Sequence, residues 1–338
     1  MKKNQLIKFF SNKSVFITGG TGSLGNELIK IFLEDFKLRK LIIFSRDELK
    51  QSEMIRAYSK KDKRGILRFF LGDVRDLERL KFAMRNVDFV IHAAALKHVD
   101  LAEYNPMEVI KTNVIGTQNL IDTSLEKDIK KFIFLSTDKA CAPLNLYGAT
   151  KLCSEKLVTS ANDVKGKKDT IFTVVRYGNV MSSRGSVIPE FVKQAKTGTL
   201  KITDKDMTRF NITVDESIDL VFWAMKYAIG SEIFIPKIPS YKITDLARAI
   251  SPKSKIKIIG IRPGEKIHEE MISKNDSLSS IDIGKYYVIL PSNRMNIRDY
   301  YKKKFRAKDV AKGFNYNSGT NKKFLTISEI KKLIGKNK

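Results

Sequence analysis

The chain has 338 residues, of which 42% are hydrophobic and 30% charged, with only 8 Pro and 19 Gly. These proportions exclude a disordered, collagen-like or low-complexity chain, and no apolar run approaches the ~18 residues of a membrane-spanning helix. The formal net charge of +26 points to anionic partners, but the excess is mostly scattered lysine without the interleaved aromatics of a single-strand binding surface, so no nucleic-acid partner is expected.

Residues 1–10 hold Lys2, Lys3 and Lys8 among too few apolar residues for a signal peptide. Cys141 and Cys153 are too few for a disulfide framework. A cytoplasmic protein without membrane insertion is expected. Ser14 to Thr18 reads as a first strand that stops at Gly19. Leu24, Leu28, Ile31 and Phe32 share one face and predict a helix over 24–33. Strands follow at 40–45, 67–71 and 87–95, then a long helix over 107–126. A fifth strand spans 131–136, a helix 147–161, and a sixth strand 170–177. Apolar runs separated by amphipathic helices imply an α/β fold with a parallel sheet covered on both faces. Beyond Asn179 the segments shorten and Pro and Gly punctuate them. The reading is a nucleotide-binding domain over 1–179, with 206–236 returning to it. A smaller α/β substrate region takes 180–205 and 237–330, with a tail at 331–338, and 327–333 reads as a short terminal helix.

The segment Gly19-Gly20-Thr21-Gly22-Ser23-Leu24-Gly25 joins the first strand to the first helix. Gly19, Gly22 and Gly25 permit a tight turn and close approach of backbone N–H groups to a pyrophosphate at the helix N-terminus. The strand–turn–helix context is what this motif requires, and it specifies a doubly wound parallel (Rossmann) sheet. NAD sites place Asp or Glu at the end of the second strand, for the ribose 2′-OH. Here Ser45-Arg46 stands there and suits a 2′-phosphate, so NADP is the expected cofactor. Asp73, followed by Val74, either reaches an adenine amino group or caps the next helix.

Tyr147 and Lys151 are spaced i, i+4 and share a helix face. The Lys151 ammonium is expected to lower the phenol pKa, so that Tyr147 acts as a base on a sugar hydroxyl. A hydroxyl on the fifth strand, Ser136 or Thr137, completes the set. His92 reads as a core histidine and Cys153 as a core thiol. Asn113 is read as a brace for the loop after the fifth strand. His92 and His98 lack a third ligand at suitable spacing, so no metal site is expected.

Taken together, the chain resembles the extended short-chain dehydrogenase/reductases that act on nucleotide sugars. Within them it is similar to the inverting UDP-N-acetylglucosamine 4,6-dehydratases that open pseudaminic acid synthesis. The resemblance rests on SRDELKQSEM (45–54), GDVRDLERL (72–80), HAAALKHV (92–99), STDKA (136–140), NLYGATKLCSEKL (145–157), RYGNV (176–180) and RPGEK (262–266). It implies that Thr137, Tyr147 and Lys151 act in hydride transfer, Lys139 as the base at C5 and Asp138 as the acid for the departing C6 hydroxyl. Retaining dehydratases carry Asp-Glu where Asp138-Lys139 stands, and 4-epimerases usually carry neither. Burial beside the cofactor is expected to lower the pKa of Lys139.

The resemblance further implies cofactor contacts from Gly19, Thr21, Gly22, Ser23, Leu24, Gly25, Ser45, Arg46, Asp73, Val74, Ala93, Ala94 and Ala95. On the substrate side it implies Lys97 at the sugar, Asn179, Arg209 and Arg262 at the diphosphate, Glu265 near the uridine ribose and Thr203 near uracil. A homo-oligomer, dimer or hexamer, is expected. Asn211 departs from the family pattern, where an aromatic residue is expected. The alternatives are a 4-epimerase or retaining dehydratase on the same scaffold, or a non-catalytic NADP-binding or nucleic-acid-binding protein.

Overall fold

A computed structural model describes residues 3–181, 187–292 and 294–336. Six strands make its first half: β1 (Ser14–Thr18), β2 (Lys40–Ser45), β3 (Leu67–Leu71), β4 (Phe89–His92), β5 (Lys131–Thr137) and β6 (Ile171–Tyr177). In the second half come β7 (Asn179–Val180), β8 (Thr199–Ile202), β9 (Thr208–Ile212), β10 (Ile233–Pro236), β11 (Ser240–Lys242) and β12 (Lys255–Ile258). The last are β13 (Glu270–Ile272), β14 (Ser280–Asp282), β15 (Tyr286–Ile289), β16 (Lys308–Asp309) and β17 (Tyr316–Asn317).

A ten-stranded sheet runs in the order β16-β14-β15-β10-β6-β5-β4-β1-β2-β3. From β3 to β10 every pairing is parallel. The order reverses at β1, which pairs with both β2 and β4. A crevice opens at such a switch point, at the carboxyl ends of the strands. Alternation explains the two-sided core. Val15 and Ile17 pack into one apolar layer and Phe16 into the other. Ile133 and Leu135 divide from Phe132 and Phe134 in the same way. Each such fully buried side chain stabilises the fold by about 1.5–3 kcal/mol.

The N-terminal residues form a helix, Lys3–Phe10, whose Phe10 is fully buried against Phe32, Phe36, Phe89 and Phe222. The helix Val214–Tyr227 and β10 join the main sheet's layers. So do β14, β15 and β16, between residues 280 and 309, which the sequence reading put in the substrate region. They add by antiparallel pairing rather than by parallel βαβ crossovers, which is why the βαβ rhythm did not reveal them. A separate small core gathers Phe191, Leu200, Ile202, Met207, Tyr241, Leu246 and Ile330. The last helix, Ile327–Lys336, begins at the expected residue and runs into the segment read as a tail, because Ile330 seats in that core. The expected long helix over 107–126 is continuous but contains a π-helical turn, Lys111–Ile115. No described helix is long and apolar enough to cross a membrane.

Candidate active site

The glycine loop is built for close approach. Gly19 adopts φ +64°, and a Cβ there would lie 2.8 Å from the Ala94 nitrogen. A Cβ on Gly25 would lie 2.2 Å from the Gly20 carbonyl oxygen. Gly22 is the N-cap of the helix Ser23–Asp35 and supplies no side-chain cap, so the first amides of that helix face the crevice as an anion site. The crevice has a volume of about 640 Å³. Every cofactor position named above lines it: Gly19, Thr21, Gly22, Ser23, Leu24 and Gly25 of the loop, with Ser45, Arg46, Asp73, Val74, Ala93, Ala94, Ala95, Tyr147 and Lys151. This cradle fits a dinucleotide.

Chemistry at the end of β2 is set by local bonds. Ser45 Oγ lies 2.9 Å from Thr21 Oγ1. Asp47, the first carboxylate after β2, caps the helix Glu48–Tyr58 by accepting from Lys50 N, so it is spent on the fold. Asp73 does not cap the next helix; Asp76 does. Burial works against the charge of Asp73, but hydrogen bonds from Arg75 and the Arg46 guanidinium at 3.3 Å hold its carboxyl below the usual range.

His92 is a structural residue. It is fully buried, with Nδ1 2.7 Å from Thr18 Oγ1 and Nε2 3.0 Å from Thr117 Oγ1. Burial, then the charge of Lys151, keep its ring well below the usual imidazole range. Asn113, in the π-helical turn, bonds both the N–H and the carbonyl of Leu96 and the Thr150 hydroxyl. It therefore braces the segment after β4 rather than the loop after β5.

Asp138 and Lys139 follow directly from β5 in a short 3-10 turn, where Thr137 accepts from Lys139 N. Asp138 is fully buried. Its Oδ1 accepts from Thr137 Oγ1 at 3.0 Å and from Lys139 Nζ at 3.0 Å, while Oδ2 has no partner among the described residues. Burial pushes this carboxyl up, against the pull of Lys139. Lys139 Nζ also lies 3.4 Å from Glu269 Oε1 and 3.4 Å from Asn179 Oδ1. Here the charge state differs from expectation. Burial does favour the neutral amine, but Asp138 and Glu269 outweigh it and raise the pKa.

Lys151 reverses the other expectation. Its amine donates to the Leu135 carbonyl at 2.6 Å and lies 3.8 Å from the Phe134 ring centre. Burial lowers its pKa to about 7. Tyr147 stands four residues earlier on the same helix. Burial pushes that phenol up to about 12, and the groups opposing the rise are Lys139 and a hydrogen bond with Thr137. Thr137, not Ser136, is thus the hydroxyl in contact with the tyrosine. Ser136 Oγ is buried without a partner among the described residues.

A second cavity of about 300 Å³ adjoins the first. Lys97 and His98 line both. Of the predicted substrate residues, Lys97, Asn179, Arg209, Arg262 and Glu265 line it, as does Lys139. Thr203 does not: its hydroxyl turns to Met207 Sδ at 3.1 Å. Asn211 pairs across β9 and β7 with Asn179, and its neighbour Phe210 is fully buried against Tyr316. An aromatic is thus present one residue earlier than expected. Cys153 is exposed rather than core, and Cys141 is buried, with its thiol pushed up to about 12 by burial. Glu269, 3% exposed, was missed because it lies beyond RPGEK in no recognisable motif. One turn after Lys151, Glu155 pairs with buried Arg176 at 2.6 Å, and Arg176 also donates to the Met271 carbonyl. No group of metal-ligating side chains occurs among the described residues.

The family model for the polysaccharide biosynthesis protein matches residues 15–291. The inverting UDP-N-acetylglucosamine 4,6-dehydratase of Campylobacter jejuni subsp. jejuni serotype O:2 is 52% identical over 334 residues, which is 96% of this chain and 98% of that one. A UDP-glucose 4-epimerase of Rickettsia akari is 41% identical, with 96% of each chain covered. Among solved structures, Pen from Bacillus thuringiensis superposes with a TM-score of 0.88 at 38% identity, covering 97% of this chain and 99% of that one.

Proposed function

From the premise that the chain belongs to the polysaccharide biosynthesis protein family, in the extended short-chain dehydrogenase/reductase class, we propose that it is an NADP-dependent, inverting UDP-N-acetylglucosamine 4,6-dehydratase, a lyase. The observation that carries this reading is the Asp138–Lys139 pair, its carboxylate buried and its ammonium on the wall of the substrate cavity. An epimerase has no elimination to catalyse and no use for such a pair. The relative named as an inverting dehydratase is also more similar to this chain than the relative named as an epimerase.

The glycine loop, Ser45, Arg46 and Ala93 to Ala95 would hold NADP in the crevice, where it would supply hydride exchange with the sugar. Arg46 and Lys50 line the rim where its 2′-phosphate would lie, and the carboxylate of Asp47 is turned to capping. Tyr147 takes the C4 hydroxyl proton, helped by the Thr137 hydrogen bond. The resulting ketone acidifies C5–H. Lys139, once neutral, removes that proton. Asp138, whose burial favours the acid form, protonates the departing C6 hydroxyl, so water leaves. Protonation of C5 from the opposite face inverts that centre. Arg209 and Arg262 suit the diphosphate, since guanidinium binds such oxygens in pairs.

The test is proton NMR with UDP-N-acetylglucosamine in D2O. A new C6 methyl signal with deuterium at C5 and an L-arabino 4-keto sugar is the expected product. A methyl signal with retained configuration, or a galacto product without a methyl, replaces this reading with a retaining dehydratase or an epimerase.

A further inference from the structure

Glu269 is a buried charge on the substrate cavity that the scheme above leaves without a task. Its Oε1 lies 3.4 Å from Lys139 Nζ and 3.7 Å from Arg209 Nε, and its Oε2 is buried without a partner among the described residues. Asp138 repeats the pattern, with one oxygen engaged and one not. A single ammonium therefore sits between two buried carboxylates. Such an arrangement costs stability relative to apolar packing. The backbone around Glu269 is nonetheless fixed. Its N–H donates to Ser318 Oγ at 2.8 Å, its carbonyl accepts from Ser318 N at 2.8 Å, and that same hydroxyl lies 2.8 Å from Thr208 Oγ1. A carboxylate carried on backbone held this firmly, at the edge of the substrate cavity, is placed for a task.

We propose that Glu269 is a positioning residue for the dehydration, aiming the Lys139 amine into the cavity and accepting the proton that Lys139 must lose to become a base. The proposal rests on the dehydratase reading. In the transfer one N–H bond of the ammonium breaks and one O–H bond forms on the carboxylate. The amine and the carboxylic acid are both neutral, so the net charge of the pair stays at zero. Sugar filling the cavity displaces water, and the lower dielectric favours this neutral pair over the ion pair. The amine's lone pair then takes the C5 proton, and the C5–H electrons become the C5=C6 bond as water departs.

Several charges face Lys139 and set the sign of the test. Asp138 precedes it in the chain, and Glu269 approaches from the segment before β13; both raise its pKa. Arg209 on β9 lowers it, and Lys97 is a second facing cation. The Tyr147 and Tyr241 phenols also feel its charge, and Lys266 acts on Glu269. Removing the Glu269 charge leaves the cations less opposed, so the Lys139 pKa must fall.

The experiment is pH-dependent labelling of Lys139 by acetic anhydride, read by peptide mass spectrometry, in the full-length protein and in Glu269→Gln. The midpoint of reactivity is expected to move down by about one pH unit or more in the variant. In parallel, kcat for methyl formation is expected to fall about 10²- to 10⁴-fold while KM changes by less than about threefold. Glu269→Asp, with its carboxylate drawn back, is expected to give an intermediate midpoint and recover part of kcat. It serves alone if the Gln variant fails to fold. An unmoved midpoint, or a variant with wild-type kcat, overturns the proposal. If the wild-type protein makes no methyl product, the dehydratase reading fails instead, and the labelling midpoint still judges the contact between Glu269 and Lys139.

Discussion

The two cavities are made in different ways. The dinucleotide crevice is shaped by backbone: a positive φ at Gly19, a carbonyl packed against Gly25 and an uncapped helix end. The substrate cavity is shaped by side chains from segments far apart in the chain, with Lys139, Asn179, Arg209, Glu265 and Glu269 converging on it. A backbone site tolerates almost no change at its glycines and is written as one short motif. A side-chain site is tuned by charge, residue by residue, and leaves only scattered marks in the sequence.

Mutations can break this contrast or sharpen it. The largest expected effect is at the charge cluster. Lys139→Ala should lower the rate of methyl formation by about 10²- to 10⁴-fold, measured by NMR, while NADPH fluorescence shows the cofactor still bound. Loss of cofactor in that variant would show that the two cavities are not separable. Next comes the backbone site: Gly25→Ala places a Cβ against the Gly20 carbonyl. It should cost about 1–3 kcal/mol in thermal unfolding and abolish NADPH binding. Arg46→Ala should weaken NADPH by about 10- to 100-fold and NADH by less than about twofold, since it removes one charge-assisted contact to a 2′-phosphate. Equal losses for both would remove the case for NADP. The smallest effect is at Thr203→Val, where KM for UDP-N-acetylglucosamine should change by less than about twofold, because the hydroxyl faces Met207 and not the cavity.

What the sequence made legible follows the same division. The glycine loop and the parallel strands around it could be read because each is contiguous and each carries its own periodicity. Proximity of Tyr147 to Lys151 and of Asp138 to Lys139 was also legible from spacing. The partners of those groups were not. Spacing put Lys151 beside the phenol, whereas its amine bonds the Leu135 carbonyl. Burial alone predicted a lowered Lys139 pKa, whereas a carboxylate distant in the chain helps to raise it. The strands β14 to β16 escaped because they are two to four residues long and pair antiparallel, outside the βαβ pattern. Cys153 escaped because a helix of mixed character did not reveal which face it buries.

The buried Arg176 has a consequence for how such a chain can diversify. One guanidinium clasps Glu155, on the helix that bears Tyr147, and the Met271 carbonyl, two residues past Glu269. The geometry of the proton-transfer groups is thereby referenced to the large sheet, on which Arg176 itself stands. The loop bearing Arg262 and Glu265 is tied to the same helix, whose N-cap Asn145 donates to the Gly264 carbonyl at 2.8 Å. With the loop backbone so held, substitution of the Arg262 and Glu265 side chains would, on the proposed reading, change which sugar nucleotide is accepted before it changes the reaction performed on it.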